Sequence, residues 1–215
     1  MKIYDITGSI KEGIWAYTDQ CNFSIEHTSS SPNSGYFEIF HDMNSQTGTY
    51  LETTAHVNGY NGHRLITDVP VEDIVNIPCR ILHFEKGDLL ANNNKITVEM
   101  LQKATSELDI PQNCAILLDT GWYSWYDDNF LSAAPCLSRA AMEWILKLKP
   151  SLLGSDTPAW QKDEKVFDLF GKTDTLLLAP LVDLNKICGK NALLTVLPIK
   201  MEKTCCAPAR AIVIE

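Results

Sequence analysis

The chain is short of positive charge. Its 215 residues carry 18 Lys and Arg against 27 Asp and Glu, a formal net charge of −9. A phosphate backbone or an anionic membrane surface recruits clustered Lys and Arg, so neither nucleic acid nor membrane is an expected partner. A long apolar run is lacking too. Met1 leads into Lys2-Ile3-Tyr4-Asp5-Ile6, a polar-flanked alternation with neither the apolar stretch of a signal peptide nor that of a membrane span. The expected compartment is therefore cytoplasmic. No low-complexity tract and no long Pro/Ser linker interrupts the chain. With 45% hydrophobic and 21% charged residues, it reads as one domain over residues 1–215 with a small molecule or another protein as partner.

The seven cysteines (Cys21, Cys79, Cys114, Cys136, Cys188, Cys205 and Cys206) are odd in number and contain no CxxC pair. Reduced thiols are expected rather than a disulfide framework. Adjacent Cys205 and Cys206 read as structural, because neighbouring side chains of a strand face opposite ways. A cysteine hydrolase finds no local nucleophile signature.

What the chain does contain is an alternation of strand and helix signals. Apolar, β-branched runs recur at 79–84, 114–119, 152–155, 176–179, 193–199 and 211–214. Thr97 and Ser138 each precede an amphipathic run and are placed to cap helices. Pro70 before Val71-Glu72-Asp73-Ile74-Val75 predicts a shorter helix. The first seventy residues are rich in Ser, Thr, Asn and Gly, and 28–35 read as a surface loop, either a plain connection or a lid. The class is α/β with a loop-rich N-terminal part.

One segment concentrates functional side chains. Gln46, Tyr50, Glu52 and His56 all carry hydrogen-bonding groups at even positions and would share one face of an extended segment. A buried polar row has to be satisfied by its own members or by a ligand. It is therefore either a pocket with Glu52 and His56 as its ionisable pair or a self-satisfied scaffold. Trp15, Tyr17, Trp122, Tyr123, Trp125, Tyr126 and Trp160 suit a planar or apolar substrate, or equally core and subunit contacts.

The string from Gln46 to His56, with Gly48-Thr49 at its centre and Val69-Pro70-Val71-Glu72 after it, resembles the signature of the putative cyclase family. Bacterial kynurenine formamidases (arylformamidases) are the best-known members. The same order of fragments continues with Tyr4-Asp5-Ile6 and Trp15, Asp119-Thr120-Gly121-Trp122, Gly154-Ser155-Asp156-Thr157-Pro158, Leu197-Pro198-Ile199-Lys200, and Ala207-Pro208-Ala209-Arg210-Ala211. The resemblance implies a swivelling β/β/α fold, a homo-oligomer (dimer or tetramer), and metal-assisted hydrolysis of a small amide, lactone or related metabolite. It also implies His56 as a catalytic acid/base; the polar row itself suggests Glu52 as its catalytic partner, with Gln46, Tyr50, Trp15 and Asp156 as candidate substrate-binding residues.

Carried over by position, the family's ligands become Gln46, Tyr50, Glu52, Val166 and Ala179, while His56 keeps the acid/base position. A dinuclear zinc or manganese site is not expected from that set. A single divalent metal on Glu52 and His56 would need help from Gln46, His41 or His63. A non-catalytic relative that binds a small molecule or a partner protein is the alternative reading.

Overall fold

The apolar runs lie side by side as strands of one sheet that closes on itself. The computed structural model describes residues 1–18, 22–29, 36–161, 165–189 and 191–215. In its first half the elements are β1 (Ile3–Asp5), β2 (Ser24–Ser29), β3 (Tyr36–His41), β4 (Tyr50–Glu52), α1 (Ala55–Asn58), β5 (Ile77–His83), α2 (Lys86–Ala91), β6 (Lys95–Ile96) and α3 (Val98–Thr105). The second half adds β7 (Ala115–Asp119), β8 (Cys136–Leu137), α4 (Arg139–Lys147), β9 (Leu152–Ser155), α5 (Phe167–Phe170), β10 (Leu176–Ala179), β11 (Ala192–Pro198) and β12 (Cys206–Ile214).

Eight strands follow the order β1-β12-β11-β5-β7-β9-β10-β4, and β4 also pairs with β12. That second pairing closes seven strands into a barrel and leaves β1 attached to β12 outside the ring. The pairs β5–β7, β7–β9 and β9–β10 are parallel, as helix-bearing crossovers require. The expected α/β class holds, with the sheet forming a closed barrel and few helices beside it.

Side-chain alternation divides the core in two. Leu51, Ile81, Leu117, Leu152, Leu178, Leu194 and Val213, one or more from every strand of the ring, fall in a single cluster that fills the barrel. The intervening Ile116, Leu118, Leu153 and Leu177 pack outside it with Leu101, Met142 and Ile145 of the helices. β7 is accordingly buried at all five positions, which explains its unbroken apolar sequence. Gly154 sits where the barrel has no room left: an added Cβ would lie 2.4 Å from Leu117 Cδ2.

Thr97 and Ser138 cap α3 and α4 as predicted, accepting from the backbone N–H of Met100 and Ala141. Three expectations need correction. The helix after Pro70 is only a 3-10 turn over Val71–Asp73, because Asn76 turns the chain at positive φ (55°) into β5 at Ile77. The expected 28–35 loop begins later, since Thr28 and Ser29 belong to β2, and residues 30–35 lie outside the described residues. The final strand starts at Cys206, five residues before the predicted 211. No helix among the described residues is long and apolar enough to cross a membrane.

Where β5 and β7 end, His83 faces Asp119 across the pair, Nδ1 to Oδ2 2.7 Å, and the Tyr123 hydroxyl donates to the other carboxylate oxygen. The bond to Asp119 raises the His83 pKa above its ordinary 6.5. A raised histidine pKa stabilises the fold fully below the unfolded value and loses that contribution as pH climbs past the folded one. Because the ring is half-exposed, the effect is small. A fall in urea midpoint from pH 6 to 8 is expected, slightly smaller in His83→Gln. Gly154→Ala is expected to cost about 1–3 kcal/mol by overpacking; an unchanged denaturation midpoint would refute the crowding.

Candidate active site

β4 lies between β10 and β12, so Glu52 stands opposite Leu177 on one side and Cys206 on the other. Leu51 turns into the barrel, and Tyr50 and Glu52 therefore turn outward. The chain then leaves the sheet through Thr53, whose N–H and hydroxyl both donate to the Cys205 carbonyl, and enters the single turn α1. His56 on that turn comes back over Glu52, Nε2 to Oε2 4.0 Å.

The expected gathering of Gln46, Tyr50, Glu52 and His56 is found, though not as one extended row. Only residues 50–52 are strand; Gln46 comes from the preceding turn and His56 from α1. All four line a cavity of about 390 Å³, walled further by Tyr17, Trp160 and Phe167. Gln46 Nε2 donates to Glu52 Oε2 at 3.4 Å, while Glu52 Oε1 is buried without a partner. Burial raises the Glu52 pKa to about 7 against the lowering effect of bonds from Cys206 and Gln46. Burial also lowers the His56 pKa, favouring the neutral ring.

Tyr50 is locked in place. The Tyr17 hydroxyl donates to the Pro158 carbonyl at 2.6 Å and lies 2.8 Å from the Tyr50 hydroxyl. Since a carbonyl only accepts, Tyr17 spends its proton there and Tyr50 must be the donor of the second bond. Burial holds both phenol pKa values above 10.

The thiols correct the sequence reading. Cys205 and Cys206 do not face opposite ways: their sulfurs are 3.6 Å apart, and each is within 3.7 Å of His56 Nδ1. The alternation rule fails because Cys205 occupies a bend ahead of β12, outside the pleat. The three donor atoms all lie within 4.8 Å of one another. His41, proposed as a helper ligand, instead meets Glu26 on the β2–β3 hairpin, and His63 lies on an exposed turn.

Two other predicted site residues stand apart from the cavity. Asp156 is fully buried and accepts from Thr120 N, Thr120 Oγ1 and Trp122 N at 2.8–3.0 Å, so it fixes the loop after β7. Burial nonetheless raises its pKa to about 7. Trp15 packs edge-on behind Tyr17, with ring centroids 4.8 Å apart. A larger hollow of about 590 Å³ opens at the N-terminal ends of β5, β7, β9 and β10, where Arg64 is already paired with Asp73.

The sheet thus closes into an α/β barrel with Glu52 turned outward beneath the one-turn helix that carries His56. The chain belongs to the putative cyclase family, whose model matches residues 4–162. The fold is similar to isatin hydrolase A from Ralstonia solanacearum (TM-score 0.83, 21% identity, covering 99% of this chain and 91% of that one). It is also similar to isatin hydrolase A from Labrenzia aggregata bound to benzyl benzoate (0.85, 19%, 99% and 93%). A structure described as a potential metal-dependent hydrolase with cyclase activity matches as well (0.75, 20%, 99% and 96%). No curated protein matches.

The phenol pair gives an asymmetric prediction. Tyr17→Phe strands the buried Tyr50 hydroxyl and should cost about 1–3 kcal/mol, whereas Tyr50→Phe leaves the Tyr17–Pro158 bond intact and should cost about 0.5–1.5 kcal/mol. Urea midpoints in the reverse order would overturn the donor assignment.

Proposed function

We propose that the chain is a cyclase-family hydrolase that cleaves an amide, lactone or related bond in a small metabolite, with Glu52 as general base and His56 beside it. The observation that carries this reading is the buried Glu52 carboxylate, unpartnered at one oxygen, on the wall of an apolar-sided cavity next to a histidine. Trp160 Nε1 is a second unpartnered buried atom on a lining residue. A donor and an acceptor left over among the lining residues match the acceptor and donor that an amide carries. The isatin hydrolases that share the fold support a cyclic amide as the first class to try.

The residues at the family's ligand positions do not fit a pair of zinc or manganese ions. Val166 and Ala179 are packed in the apolar cluster outside the barrel, and the Tyr50 hydroxyl is committed to Tyr17. Of that set only Glu52 offers a strong donor. No step is therefore assigned to such a pair. Glu52 can take a proton from an attacking water as the C–O bond forms, then return it to the leaving nitrogen or oxygen as the scissile bond breaks. The neutral His56 ring can hold the substrate by a hydrogen bond.

The same substitutions favour a second reading, a relative that binds the small molecule without turning it over. A panel of isatin-type cyclic amides, N-formyl anilides and aryl lactones separates the two. Turnover that falls about 10²–10⁴-fold in Glu52→Gln, with His41→Gln unchanged, is expected. Calorimetric binding without turnover of any member would replace catalysis by binding.

A further inference from the structure

We propose that His56 Nδ1 and the sulfurs of Cys205 and Cys206 bind a single zinc ion behind Glu52 and His56, two of the residues that line this cavity. Around the three atoms the separations are 3.6 Å between the sulfurs, 3.6 Å from Cys206 to the ring nitrogen and 3.7 Å from Cys205. Zinc at its usual distances from thiolate and imidazole, with tetrahedral angles, keeps such donors about 3.5–3.8 Å apart. All three edges already have the length the ion needs.

Glu52 lies against the three donors. Glu52 is only 1% exposed; its Oε2 lies 3.6 Å from Cys206 Sγ, and its Oε1 has no partner. A carboxylate in that position costs several kcal/mol unless positive charge is supplied nearby. Its one ionic neighbour among the described residues is His56, at 4.0 Å. Zinc with two thiolates is formally neutral and adds no net charge here, so Glu52 borders the site without being offset by it. Tyr60 Oη, 3.6 Å from Cys205 Sγ, is the remaining polar contact of the group.

Two thiolates select a soft cation, which makes zinc a better match than manganese or magnesium. Binding releases the two thiol protons to solvent. Three protein donors leave a fourth position, the arrangement of catalytic rather than purely structural zinc sites. This deepens the hydrolytic reading, and only the catalytic use of the ion rests on it. None of the five family ligand positions is among the three donors, so the site is a different one from that which the resemblance implies.

Full-length protein stripped with a chelator is titrated with zinc and, separately, with cobalt(II). One equivalent per chain is expected, and the cobalt form should show a thiolate-to-metal charge-transfer band with intense tetrahedral visible absorption. Cys205→Ser and Cys206→Ser should each weaken zinc binding at least tenfold, with the exposed Cys188→Ser unchanged. If the serine variants do not fold, titration of zinc-loaded wild type with a mercurial should release the ion only once thiols beyond the exposed Cys188 have reacted. Failure to take up stoichiometric zinc, a cobalt spectrum without the thiolate band, or a Cys205–Cys206 disulfide in protein kept under reducing conditions would each overturn the site. Zinc binding without hydrolysis of the amide and lactone panel would sink the hydrolytic reading alone. Hydrolysis by metal-free protein would sink only the catalytic use of zinc.

Discussion

The pairing of β4 on both its edges is the constraint on which the rest depends. Three residues, Tyr50–Glu52, join β10 to β12 and so turn an open sheet into a ring. The middle one fills the barrel, and its neighbours are forced outward into contact with whatever lies on the flanking strands. Glu52 therefore meets Cys206 by register alone, without any sequence proximity. The helix turn that follows then needs only four residues to bring an imidazole over the same carboxylate.

Much of this was legible in the primary structure, though unevenly. The strands of the second half and the caps Thr97 and Ser138 were readable because each rests on local signals, a continuous apolar run or a side chain three residues from its partner. The closing of the ring was not, since it depends on contacts between distant segments that no periodicity encodes. The grouping of Gln46, Tyr50, Glu52 and His56 could be read from their polarity, but by the wrong route: a turn, a short strand and a helix replace a single extended face. Cys205 and Cys206 were misjudged because a rule valid within a strand was applied across the strand's first residue. The signal that could have exposed them is their place just ahead of Ala207-Pro208, the segment that has to pair with Leu51 and Tyr50.

Likeness to solved structures at about 20% identity shows the frame that the family shares. It does not carry the chemistry of the lining over residue by residue. Here Val166 and Ala179 have been absorbed into the apolar cluster, Tyr50 bonds to Tyr17, and Asp156 is used up by three donors from the next loop. Such exchanges leave the inner cluster that fills the ring untouched, since every one of them lies on the outer face. The cavity can thus change its ligands faster than the barrel changes its shape.

The register that sets Glu52 beside Cys206 spans 154 positions along the chain. Contacts of such separation form late, after the entropy of a very large loop has been overcome. The carboxylate is desolvated only where the last strand is docked against β4. Any fluctuation that peels this strand away rehydrates the carboxylate and scatters the thiols in one event. Chemical competence and the integrity of the whole barrel are therefore a single cooperative property, and a chain that has lost its final strand cannot keep a partial version of the site.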